Sequence, residues 1–126
     1  MIGVVYDAGV LIAAERGDRG VWAEHRVRLE LDLLPLTTAP VVAQASRSPR
    51  QAQLRRFLRG CDIESFEPHE AHEVGALLAR TRTADVVAAH LAALAARTES
   101  IVLTDDPSDL RRLSDALATP VTIRAI

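Results

Sequence analysis

The sequence predicts an α/β fold, a parallel sheet whose two faces are covered by helices. Three observations predict it. Short β-branched runs, of which Ile2-Gly3-Val4-Val5-Tyr6 and Ile101-Val102-Leu103-Thr104 are the clearest, read as strands buried on both faces. Helix-patterned stretches separate such runs, giving the alternation typical of βαβ units. Both clear runs also stop at aspartate, at Asp7 in the first and at Asp105-Asp106 in the second. Ligands of open α/β sheets bind in the crevice beyond the carboxyl ends of the strands. If the two runs are neighbouring parallel strands, their aspartates meet there, and clustered carboxylates suit a hard divalent cation.

The elements follow in order. After the Ile2–Tyr6 strand, Val10-Leu11-Ile12 begin a short helix that ends near Arg16-Gly17-Asp18-Arg19-Gly20, where two glycines punctuate the chain. Val21 to Leu33 is amphipathic, with Trp22, Val27 and Leu29 set against Glu24, His25, Arg26, Arg28 and Glu30, and Pro35 stops it. Leu36-Thr37-Thr38 reads as a short strand, and Pro40 opens a helix through Ala45. Ser48-Pro49 restart a helix carrying Leu54, Phe57 and Leu58, closed by Gly60. Weak alternation over Cys61–Phe66 suggests a third strand. Pro68 begins a long helix to Arg80, and a second runs from Ala84 to Arg97. Ile101–Leu103 is a strand, Pro107–Leu117 a helix and Val121–Ile123 a last strand.

At 126 residues the length fits one domain, and 48% apolar with 25% charged residues is the composition of a soluble globular protein. No apolar run approaches the ~18 residues of a membrane span, and the start lacks the pattern of a secretory signal. Cys61 is the only cysteine, which excludes an internal disulfide and fits a reducing, cytoplasmic setting. All 15 cationic residues are arginine, and the net charge of −2 gives no global attraction for nucleic acid. Such binding needs a local patch, and the densest basic segment is Arg47, Arg50, Arg55, Arg56 and Arg59. Its ordinary reading is a solvated helix face.

Each aspartate also has a local explanation. Asp106-Pro107-Ser108-Asp109 has the pattern of a helix start, with aspartate as cap, proline at the first position and an acid at the third. Thr83-Ala84-Asp85 has a similar look, with Thr83 capping and Asp85 in the first turn. Asp7 is harder to explain so, because Ala8-Gly9 is a poor helix opening. Capping and metal binding are compatible, since a helix start at a strand end faces the crevice.

Taken in order, three segments resemble the PIN-domain family, in particular the VapC-type toxin ribonucleases of toxin–antitoxin pairs. They are Val4-Val5-Tyr6-Asp7-Ala8-Gly9-Val10-Leu11, Thr83-Ala84-Asp85-Val86-Val87-Ala88-Ala89 and Val102-Leu103-Thr104-Asp105-Asp106-Pro107-Ser108-Asp109-Leu110. The resemblance spans residues 1–126 as a single PIN-like domain. It implies a three-layer α/β/α fold around a parallel sheet of four to five strands, with carboxylates binding Mg²⁺ or Mn²⁺. Asp7, Asp85 and Asp106 match the family's metal-site aspartates. Asp109 matches a further catalytic acid, and Thr104 a hydroxyl beside the site. The implied partners are an RNA substrate, a cognate antitoxin and a second copy of the chain in a homodimer.

The departure is Gln44, on the segment Pro40-Val41-Val42-Ala43-Gln44, where the family commonly has glutamate. Glutamine keeps a carbonyl oxygen and loses the charge through which hard cations are held; Asp105 is the candidate to supply it, against the alternative that strand alternation points it elsewhere. The implied chemistry is hydrolysis of RNA phosphodiesters by a metal-activated water, with Asp106 or Asp109 accepting its proton. The competing reading is a catalytically weakened PIN domain that binds RNA or a protein without efficient cleavage. A haloacid-dehalogenase-like phosphatase is excluded by Gly9, where a second aspartate is needed, and a response-regulator receiver by the absence of lysine. His69 and His72 miss the zinc-protease spacing and fit an exposed first turn. His90 reads as packing or surface, and Trp22 as core.

Overall fold

The computed structural model describes residues 2–126 and contains one five-stranded sheet, all of whose neighbouring strands are parallel. The strands are β1 (Val4–Tyr6), β2 (Leu36–Thr38), β3 (Asp62–Glu64), β4 (Ile101–Thr104) and β5 (Ile123–Ala125), in the spatial order β3-β2-β1-β4-β5. From central β1 the chain steps outward to β2 and β3, then crosses back to β4 and β5. With right-handed crossovers, reversing the direction of travel moves the connecting helices to the other face. The helices α1 (Ala8–Glu15), α2 (Arg19–Glu30), α3 (Ala39–Ala45) and α4 (Ala52–Leu58) accordingly pack around α1. Their counterparts α5 (Ala71–Thr81), α6 (Val86–Thr98) and α7 (Pro107–Asp115) pack around α6. The expected three-layer α/β/α arrangement is what forms, with every expected strand present.

Between the layers the core is Val5, Tyr6, Leu11, Val41, Leu54, Phe57, Leu77, Leu91, Leu94, Val102, Leu103, Leu110 and Leu113, all at most 2% exposed. Fully burying a side chain of this kind stabilises by roughly 1.5–3 kcal/mol. The first turns are fixed by short polar side chains. Asp18 Oδ1 accepts from Val21 N at 3.0 Å to start α2, and Thr38 Oγ1 from Val41 N at 3.1 Å to start α3. Gly17, at φ +76°, makes the left-handed turn between α1 and α2.

Several boundaries differ from the sequence expectation. Ser48-Pro49 lie in a turn and α4 begins only at Ala52; its N-terminus is satisfied from another helix, by Glu15 Oε2 accepting from Leu54 N at 2.6 Å. Pro68–Glu70 form a separate 3-10 turn, closed by a reciprocal Glu67/Glu70 capping box, before α5 begins. The last strand starts two residues later than expected, at Ile123.

The α2 face is also corrected. His25, assigned to the solvent side with the charged residues, is 2% exposed, whereas Val27 and Leu29 are 53% and 39% exposed. His25 turns inward because it has partners there: its ring stacks on Phe57 at 3.9 Å and its Nδ1 lies 2.9 Å from the Tyr6 hydroxyl. Arg28 Nη1 donates to that hydroxyl at 3.2 Å, so the Tyr6 oxygen bridges Arg28 and His25. Burial pushes the Tyr6 hydroxyl up to about 12. Trp22 is half-buried, edge-on to Phe57 at 5.0 Å. His90 is fully buried against Phe66, with Nε2 3.1 Å from the buried Glu70 carboxylate, while His69 and His72 are exposed as expected.

Burial, and secondarily the Arg28 charge, hold the His25 pKa below its usual 6.5. A histidine kept neutral in the fold stabilises it above the unfolded-state pKa, and that contribution is lost as pH falls through the folded one. The thermal midpoint is expected to drop on acidification below about pH 6.5. His25→Gln, which retains an acceptor for Tyr6, should flatten that drop in a pH series followed by circular dichroism.

Candidate metal centre

The register of the central strands assembles the site. Strand β1 pairs with β4 through Val4 with Ile101, Val5 with Val102 and Tyr6 with Leu103. Asp7 N then donates to Leu103 O at 3.0 Å, so Asp7 and the Thr104-Asp105-Asp106 segment leave the sheet side by side. This is also where strand order reverses, the topological switch point at which α/β sheets open a crevice. A cleft of about 170 Å³ lies there, lined by Asp7, Gln44, Asp85, Asp105, Asp106 and Asp109 together with Gly9, Ile12 and Ala88. At ~30 Å³ per water, it has room for a cation and a handful of waters.

Three of the aspartates stand at helix starts. Asp7 Oδ1 accepts from Ala8 N at 2.8 Å at the head of α1, so this aspartate is a cap despite its unpromising sequence context. Asp85, and not Thr83, is the cap of α6, accepting from Ala88 N at 3.0 Å; Thr83 instead pairs with the Thr81 hydroxyl. Asp106 occupies the cap position of α7 without a side-chain bond to the helix backbone, and its Oδ1 accepts from Ser108 Oγ at 3.0 Å. The positive ends of three helices thus converge on the carboxylates and offset part of their mutual repulsion.

Thr104, fully buried, ties two of them together. Its hydroxyl donates to Asp7 Oδ2 at 2.7 Å and accepts from Asp106 N at 3.0 Å. Asp105 faces the cleft as well: its carboxylate lies directly over Gly9, where an added Cβ would overlap it. In the sequence Gly9 reads as a poor helix residue and as a glycine where a phosphatase needs aspartate, neither of which points to this approach. A glycine inside a helix at ordinary φ is the available signal for such a close approach.

Asp7 is half-buried, and its pKa is raised, first by desolvation and then by the charges of Asp105 and Asp85; the Thr104 and Ala8 bonds work against the rise. No arginine relieves this crowding. Ion pairs among the described residues join Glu24 to Arg28 and Arg124, and Glu70 to His90 and Arg97, all away from the cleft. The donors are carboxylate, carboxamide and hydroxyl oxygens, the set preferred by Mg²⁺ and Mn²⁺. Among the described residues no three acidic, histidine or cysteine side chains close into a ready-made chelate. Cys61 offers no nucleophile, since burial pushes its thiol up to about 12.

The basic segment lies outside the cleft. Arg47 folds its guanidinium onto Ala43 O and Ser46 O, whereas Arg50, Arg55 and Arg59 are exposed. Arg56 lies over the Trp22 ring at 4.5 Å.

A parallel sheet in this order, enclosed by two helix layers and edged by acids at the switch point, is a PIN-like fold. Two solved structures share it. A chain of VapBC2 from Rickettsia felis, crystallised with a DNA fragment from their promoter, superposes with a TM-score of 0.72 at 15% identity, covering 100% of this chain and 99% of that one. PAE2754 from Pyrobaculum aerophilum gives 0.63 at 16% identity, over 97% of this chain and 90% of that one. No protein-family profile matches the sequence, and no curated protein does. The likeness establishes the fold.

Two outcomes follow from the carboxylate geometry. An aspartate with a raised folded pKa destabilises the fold when ionised, and that penalty vanishes below its unfolded pKa. In chelator, the stability of Asp7→Asn relative to the parent should therefore increase as pH rises through the Asp7 pKa, measured as paired urea midpoints. Thr104→Val removes the hydroxyl that holds Asp7 and Asp106. It should weaken the Mg²⁺- or Mn²⁺-dependent rise in Tm about 10- to 100-fold in metal concentration, as loss of an outer ligand contact does.

Proposed function

We propose that the chain is a Mg²⁺- or Mn²⁺-dependent endoribonuclease, the toxin of a toxin–antitoxin pair, with residues 1–126 forming one PIN-like domain. The observation that carries this reading is the convergence of Asp7, Asp85, Asp105, Asp106 and Asp109 on one cleft without a cationic partner. A structural charge cluster is normally neutralised from within; one that is not suits an exogenous cation. Asp7, Asp85 and Asp106 are assigned as the metal residues and Asp109 as a further catalytic acid, supported by Gln44, Thr104 and Asp105.

The protein's own part in the reaction follows from the site. A bound divalent ion lowers the pKa of a coordinated water and offsets charge on the phosphate oxygens. Thr104 fixes the rotamer of Asp7, so that one carboxylate oxygen is oriented by the hydroxyl and the other by Ala8 N. Asp106 or Asp109, exposed at the head of α7, accepts the proton of the attacking water. Gln44 contributes a neutral carbonyl to the rim. The exposed arginines of α4 and its preceding turn, Arg47, Arg50, Arg55 and Arg56, are assigned to the RNA backbone.

The fold likeness to a chain of VapBC2 supports a protein partner in the role of antitoxin, and homodimerisation and a cytoplasmic setting belong to the same reading. No described helix is long and apolar enough to cross a membrane. A second reading rests on Gln44: with no glutamate on α3, the domain binds RNA or a partner and cuts poorly.

Purified protein incubated with RNA and Mg²⁺ or Mn²⁺ decides between them. Cleavage that disappears with chelator and falls about 100-fold or more in Asp7→Asn supports the enzyme. Cleavage that survives Asp7→Asn sinks it. A gain of about tenfold or more in Gln44→Glu, from restored ligand charge, identifies the natural site as weakened.

A further inference from the structure

We infer that a cleft between α2 and α4, walled by Arg19, Arg26 and Arg56, grips the RNA backbone at a distance from the carboxylates; this rests on the ribonuclease reading above. The cleft measures about 370 Å³ and is lined by these three arginines with Trp22, Gln53 and Gly17, and no aspartate or glutamate lines it. None of the three guanidinium groups takes part in an ion pair among the described residues. In a chain of net charge −2, three unneutralised arginines in one concavity reverse the local sign.

Two acids close by in the chain are hydrogen-bonded to backbone and not to these arginines, Asp18 to Val21 N at 3.0 Å and Glu15 to Leu54 N at 2.6 Å. The wall is also preorganised. Trp22 Nε1 donates to Ala14 O at 2.9 Å, the indole stands edge-on to Phe57, and the Arg56 guanidinium lies over its face at 4.5 Å. Gly17 puts no side chain at the mouth, and a Cβ there would meet nothing within 4 Å. Planar guanidinium forks match phosphate oxygens in pairs.

The placement suits one continuous strand. Gly17 and Trp22 adjoin the far end of α1, whose eight residues place it ~12 Å from Asp7 at 1.5 Å per residue. At roughly 3.4 Å per nucleotide of stacked strand, a chain cut at Asp7 reaches the arginines three or four nucleotides away. Arg56 is thereby the member of the basic segment with a formed binding wall, and Arg19 and Arg26 join it from α2. This grouping is invisible in the sequence, because Arg19 and Arg26 lie far from Arg56 along the chain.

Trp22 is the only tryptophan, so its emission reports on the cleft directly. The experiment titrates cleavage-silent Asp7→Asn protein with a single-stranded oligoribonucleotide across a salt series, with and without Arg19→Ala/Arg26→Ala. Arg80→Ala, at an exposed position on α5, is the control. Saturable RNA-dependent change in Trp22 emission is expected. At ~0.7 per phosphate contact on a single strand, the double variant should lower the slope of log K against log salt by about 1.4, and affinity roughly 25-fold at 0.1 M salt. Arg80→Ala should match the parent. Unchanged slope and affinity in the double variant, or RNA binding without any response from Trp22, overturns the assignment. So does saturation by inorganic phosphate at the RNA's own affinity, or tighter binding of polyaspartate, which makes the ligand a free anion or an acidic protein. A parent that neither cuts nor binds RNA removes the ribonuclease reading itself; one that cuts while the variants bind normally removes only this cleft.

Discussion

The pairing of β1 with β4 is the constraint on which the rest of the carboxyl edge depends. It joins segments separated by 97 residues and puts Asp7 within 2.7 Å of the Thr104 hydroxyl. The chain reaches β4 only after running outward through β2 and β3 and back through α5 and α6, so the site cannot form before β4 pairs with β1. Because β1 and β4 are parallel neighbours, α1 and α7, which follow them, start at the same edge and bring Asp7 and Asp106 there. Asp85 begins α6, which follows α5, and reaches the cleft through the packing of that helix.

Those acids therefore serve two demands that are usually met separately. As helix starts, Asp7 and Asp85 satisfy backbone N–H groups and sit at the favourable end of the helix dipole. Within the cleft they are crowded: the Asp7 pKa is raised first by burial, and the charges of Asp105 and Asp85 add to the rise. Local capping thus stabilises what global electrostatics opposes, a tension characteristic of sites kept for a ligand and not for the fold. On the opposite side of β1 the arrangement is reversed. Tyr6, one residue before Asp7, faces a buried network in which its hydroxyl is bonded to both His25 and Arg28.

Much of the fold and of the site was legible because it is written in local pattern. The five strand-like segments became the five strands, and the aspartates that end the first and fourth line one cleft. What the pattern misassigned depends on non-local partners. His25 looks polar on its own helix, yet Phe57 and Tyr6 draw it inward. The start of α4 is capped from α1 by Glu15, invisible to any reading of residues 47–52. Asp105 gave no reliable direction from strand alternation, and only the bare Cα of Gly9 across the cleft explains how its carboxylate fits.

By itself, the sequence determined the class of fold, the order of its elements and the chemical character of the acids at the strand ends, since hydrophobic period and carboxylate hardness are properties of short segments. The tertiary structure decided which strands are neighbours, hence that Asp7 and Asp106 share the Thr104 hydroxyl. It also decided that Asp105 faces inward and that Arg19, Arg26 and Arg56 enclose one cleft with no acid among its lining residues. These outcomes turn on distances between residues remote in the chain, and such distances are fixed only when the sheet closes and the helices pack on it.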